Sequence, residues 1–139
     1  MQAVKSFILT VLLLGPTFLS GCDSADRTRV SGTVRLAPDA VVKVGESDAL
    51  FLTARLAGSE VGPPMAVVKL LGVRFPQSFA LGQDDVLMPG SWFRGPVVIR
   101  AILRRSGFID VASPGDLVGQ TSAPVQAGES GVTIDLRRE

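Results

Sequence analysis

Between Val30 and Leu136 short runs place apolar residues at every second position, and no stretch repeats them at the three-and-four spacing of a helix. This period of two is the strongest constraint on the chain. A slip of one residue would turn a whole row of inward side chains to water. The clearest case is Val97 to Arg104, with Val97, Ile99, Ala101 and Leu103 on one face and Arg100 and Arg104 on the other. Arg29 to Leu36, Leu50 to Ala57, Met65 to Leu71, Gln77 to Leu81 and Val132 to Leu136 repeat the pattern. Ala40 to Val44 predicts a short strand or extended edge. Leu117 to Val125 is broken by Gly119 and Pro124, as an edge strand would be. About seven short strands separated by Gly and Pro turns predict an all-β chain folded as an antiparallel β-sandwich.

Composition narrows the function. The sequence has no histidine and no tyrosine, and its one cysteine is Cys22. Without histidine, Ser-His-Asp and Cys-His nucleophiles cannot be built, and the commonest metal ligand is missing. Beyond residue 21 the only lysines are Lys43 and Lys69. A formal net charge of +1 gives no electrostatic reason to expect nucleic acid. The expectation is a binding protein and not an enzyme, with no cofactor, no metal and no small-molecule substrate.

The N-terminus predicts a membrane address. Lys5 precedes an apolar run, Phe7 to Phe18, of secretory length and short of the roughly 20 residues that span a bilayer. The tetrad Leu19-Ser20-Gly21-Cys22 that follows resembles the lipobox of bacterial lipoproteins. The resemblance implies a signal peptide over 1–21, a lipidated Cys22 as the first mature residue, and a tether over 22–28 leading to a domain over 29–139. The domain is then expected on the periplasmic side of the envelope. Asp23 favours the inner membrane, with the outer membrane as the alternative.

Within the domain, Ala54-Arg55, Gly62-Pro63-Pro64, Ala66-Val67, Phe79, Leu81, Asp84-Asp85, Met88-Pro89, Ser106-Gly107, Gly115-Asp116-Leu117, Gly119 and Ile134-Asp135 occur in a set order. That ordered set resembles the C-terminal periplasmic domain of the CycH/CcmI cytochrome c-type biogenesis family. The resemblance implies an immunoglobulin-like fold and an accessory or scaffold role, through contact with apocytochrome c or the cytochrome c maturation machinery. The family's upstream transmembrane helices and tetratricopeptide repeats have no counterpart here, and the Ala-Arg pair of the fifth strand is rearranged around Arg100-Ala101. The opening Val30 to Val44 also resembles YbaY and YscW-type lipoproteins, which implies the alternative of an envelope lipoprotein with a chaperone-like or structural role unrelated to haem.

Few residues stand out as sites. Trp92 and Phe93, with Met88, lie in the longest irregular stretch, Gly82 to Pro96, where they either anchor a partner or plug one end of the sandwich. Arg55 and Arg100 either bind a carboxylate or cover the outer sheet face with their stems, and the second is favoured. Arg104 and Arg105 are expected to be solvated. Asp84 and Asp85 read as a polar turn capping backbone N–H groups, and Asp116 as a turn aspartate doing the same beside a glycine of positive φ.

Overall fold

The computed structural model describes residues 27–59 and 61–139. The expected signal peptide and Cys22 lie outside the described residues. Seven strands follow: β1 (Val30–Leu36), β2 (Ala49–Leu56), β3 (Ala66–Leu71), β4 (Gln77–Leu81), β5 (Val97–Arg104), β6 (Leu117–Gln120) and β7 (Val132–Arg138). They form a sheet in the order β3-β2-β5-β6-β7-β1-β4. Every pairing is antiparallel except β1 with β7, which is parallel.

The sheet curls so that its two halves face each other across one core. Val30 and Val34 of β1, Leu50 and Leu52 of β2, Leu81 of β4, Ile99 and Leu103 of β5, and Ile134 and Leu136 of β7 are all fully buried in it. Strand β7 joins the halves. Val132 to Leu136 pair with β1, and Arg137 and Arg138 pair with β6. The backbones are drawn close on both sides of it. A Cβ at Gly32 would overlap the Val132 carbonyl, and one at Gly119 would overlap the Asp135 carbonyl.

This closeness corrects the expectation of an edge strand near Gly119. β6 is interior, flanked by β5 and β7. Gly119 admits β7, and Pro124 lies beyond the strand, where Val125 returns as a single bridge to Val97. Residues 40–44 form no strand. Ala40 is buried, Val42 and Val44 pack on the core and Val41 is exposed, so the alternation orients side chains without a neighbouring strand to pair with. Phe51 and Thr53, on the face of β2 opposite Leu50 and Leu52, are buried as well. Phe51 and Phe108 both lie against the Lys69 ammonium, 5.5 and 5.8 Å from their ring centroids.

Because the strands alternate in direction, the connections gather at two ends. The end where β1 begins carries the segments 57–65, 82–96 and 121–131. The opposite end carries 37–48, 72–76 and 105–116.

At this opposite end the expected solvation of Arg104 and Arg105 is overturned. Arg104 Nη1 donates to Asp116 Oδ2 at 2.8 Å and its Nε to the Ile109 carbonyl at 3.0 Å. Arg105 Nη1 donates to Asp48 Oδ2 at 2.5 Å and to the Lys43 carbonyl at 3.0 Å. Both carboxylates are buried. Asp116 also accepts the N–H groups of Arg105 and Ser113, each at 2.8 Å, and Asp48 accepts that of Gly45 at 2.7 Å. Burial alone would raise the Asp116 carboxyl. The Arg105 N–H, the Arg104 guanidinium and the Ser113 N–H outweigh it and hold the group below the ordinary aspartate value. Ser106-Gly107 and Gly115-Asp116 are therefore parts of a structural latch. Gly107 and Gly115 take positive φ there, and a Cβ on Gly107 would press on the Ser47 carbonyl.

Candidate partner-binding groove

The end where β1 begins is built differently. Gln83 opens a single 3₁₀ turn, Gln83–Asp85, and organises the loop after it. Its Nε2 donates to the Ser91 carbonyl at 2.8 Å, and its Oε1 accepts the Phe93 N–H at 2.7 Å. Asp85 accepts the Gly82 N–H at 2.8 Å, while Asp84 meets Arg29 at 3.2 Å. Asp85 thus caps a backbone N–H as expected, whereas Asp84 pairs with a guanidinium instead. Further along, the Leu87 N–H donates to the Met65 carbonyl at 3.0 Å, which lays the loop beside the start of β3.

These bonds decide what happens to the aromatic pair. Phe93 enters the core and is 3% exposed. Neighbouring residues of an extended chain point to opposite sides, so Trp92 is turned outward and is 76% exposed. Met88 and Leu87 are exposed beside it. Phe93 is therefore a core residue and drops out of the contact candidates.

Trp92 and Met88 line a groove of about 460 Å³ together with Pro63, Pro64 and Met65. Two cations border it, Arg55 and Arg94. Arg55 donates to the Gly62 carbonyl, which ties the proline-bearing loop to β2. Arg100 stands apart. It lies on the outer face of β5, half-exposed, 3.8 Å from Glu139 Oε1, in a neighbouring depression of about 320 Å³ that Arg55 also lines.

Trp92 and Met88 are thus brought together, Phe93 is buried below them, and Arg100 lies to one side. Sequence reading missed Pro63, Pro64, Met65 and Arg94. Gly62-Pro63-Pro64 offered the one signal, since prolines in a loop opposite an exposed tryptophan can form a rigid apolar wall.

The groove offers apolar area, a tryptophan and guanidinium donors, and among the described residues no carboxylate lines it. Such a set suits recognition of another molecule by burial and hydrogen bonding. Among the described residues no group of three or more His, Cys, Asp or Glu gathers in a way that could hold a metal ion. No helix among them is long and apolar enough to cross a membrane.

A comparison with curated proteins finds no match. Among solved structures, the chain is similar to an alternative pilotin from the type II secretion system of Vibrio cholerae, at 11% identity and a TM-score of 0.48, over 80% of this chain and 97% of that one. The family model described as the cytochrome c-type biogenesis protein H Ig-like domain matches residues 30–136. That match runs from the first residue of β1 into β7 and takes in both the latch and the groove, so the chain belongs to the cytochrome c-type biogenesis protein H Ig-like domain family.

Proposed function

We propose that this protein is a lipid-anchored module on the periplasmic side of the envelope that takes part in c-type cytochrome biogenesis by holding a protein partner. It works without catalysis, and the groove around Trp92 and Met88 is its contact site. The observation that carries the reading is the turned-out Trp92 above a buried Phe93, in a chain of this family. A tryptophan in an open apolar groove is the kind of anchor on which binding energy concentrates, about 2 kcal/mol or more for a true hot spot.

Anchoring at Cys22 would also place the groove. Cys22 precedes Arg27 by five residues, which span at most about 17 Å when extended. Arg27 lies at the groove end, where the Gly128 N–H donates to the Thr28 carbonyl. The groove would then stay near the bilayer and meet partners held at the same membrane. Two or three acyl chains on Cys22 would make the attachment lasting, at about 0.8 kcal/mol per buried methylene.

The test is site-specific photo-cross-linking from position 87, where the exposed Leu87 lines the groove and Trp92 is left intact, in intact membranes, with captured proteins identified by mass spectrometry. Apocytochrome c or cytochrome assembly proteins should be recovered. Capture of unrelated envelope proteins alone would favour the chaperone-like or structural reading. A Cys22→Ser chain should leave the membrane fraction, and its retention there would refute the anchor.

A further inference from the structure

The Trp92 groove does not end at Arg55. The depression holding Arg100 shares Arg55, Leu56 and Ser59 with the groove, and a third one, of about 420 Å³, shares Gln120 with the second. Together they make one trough over the outer face of the sheet. Its course follows the register, since Thr53 pairs with Arg100 and Arg100 with Gln120. Arg55 is the diagonal neighbour of Arg100, about 7–8 Å away. Arg35 and Arg137 border the far part of the trough, beside β6 and β7.

The charge along this path is uneven. Arg35 is matched by Asp135 at 2.9 Å. Arg100 has only Glu139, at the looser 3.8 Å. Arg55 binds a carbonyl, and Arg137 has no carboxylate within ion-pair distance among the described residues. Among the described residues, three guanidinium groups thus face solvent weakly matched or without a carboxylate, in a chain whose formal net charge is only +1. At the latch, by contrast, each arginine has its own buried aspartate. A planar guanidinium fork matches a carboxylate with two parallel hydrogen bonds, and arginine keeps its charge at any physiological pH.

We propose that this trough docks an extended acidic segment of a protein partner, with an apolar side chain seated against Trp92 and carboxylates laid along Arg55, Arg100 and Arg137. The proposal deepens the reading of the groove as a protein-contact site and rests on it. An extended chain rises about 3.3 Å per residue and strands lie about 4.8 Å apart, so roughly five residues cross from β2 to β7.

The test uses the full chain in non-ionic detergent and two fluorescein-labelled peptides, LWGEEEEE and LWGKKKKK, read by fluorescence anisotropy. The acidic peptide should bind, more weakly as salt rises, and the basic one should not. Arg100→Glu with Arg137→Glu should weaken the acidic peptide by about tenfold, as expected for reversing two exposed pairings. Arg100→Lys with Arg137→Lys should retain most of the binding. Both side chains are exposed, so an unchanged thermal melt will show that the fold is kept.

Equal binding of the two peptides, or a doubly reversed variant that binds like the parent, would overturn the proposal. So would anionic vesicles competing for the chain when the acidic peptide does not bind, which would give this face to the membrane. If the reversed variant loses the peptide but still cross-links its partner through position 87, the groove reading stands and the acidic segment is not that partner's. If cross-linking fails while the peptide still binds as expected, the trough stands and the groove reading falls.

Discussion

The two ends of this sandwich use the same residue types to opposite effect. At the latch, Arg104 and Arg105 are spent on Asp116 and Asp48, and little polar capacity is left over. At the groove, Arg55 and Arg94 border an opening lined by Trp92, Met88 and prolines, with no carboxylate among the described lining residues. A charge paired inside a fold lends the fold order, whereas one left at a rim is available to something else. The contrast teaches that the same residue type can hold the fold together at one end and be left at an open rim at the other.

The largest expected break in this contrast is Asp116→Ala. It strands a mostly buried Arg104 guanidinium and two backbone N–H groups, and should cost about 3–5 kcal/mol in urea unfolding. A cost below about 1 kcal/mol would mean that the latch is ordinary surface. Next comes Phe93→Ala at the other end. It should cost about 3 kcal/mol, since it opens a cavity under the groove at a site where the loop can partly collapse.

A smaller effect separates the ends by pH. The Asp116 carboxyl is held below its ordinary value near 3.8, so its charged form favours the folded state. Its contribution is complete above that value and is lost as pH falls through the folded-state value. The stability gap between the parent and Asp116→Asn should therefore narrow on acidification below about pH 4, and a gap that is constant down to pH 2 would refute the assignment. The smallest effect is that of Trp92→Ala. It should shift stability by less than about 0.5 kcal/mol, because Trp92 packs on little, while it abolishes partner capture. A large loss of stability would make Trp92 a plug and not an anchor.

Much of the fold was legible because each strand carries its own pattern. Val97 to Arg104 and Gln77 to Leu81 appear with the expected bounds, and Asp85 and Asp116 act as turn aspartates. The misreadings share one cause, which is that a residue's partner lies far along the chain. Arg105 looked solvated because Asp48 stands 57 positions away. Leu117 to Val125 looked like an edge because nothing local shows β7 closing on Gly119. Phe93 and Trp92 looked alike until Gln83, ten residues before Phe93, set which of them points inward.

By itself, then, the order of residues determined that this chain is all β, which face of most strands is apolar, where it turns, and that histidine chemistry is closed to it. Those properties depend on neighbours one or two positions apart, where backbone geometry leaves few choices. Only the tertiary structure decided which arginines meet a buried carboxylate and which border an open rim, and that walls from segments 57–65 and 82–96 meet in one groove. Such outcomes depend on distances between segments that the backbone brings together only after the sheet has curled.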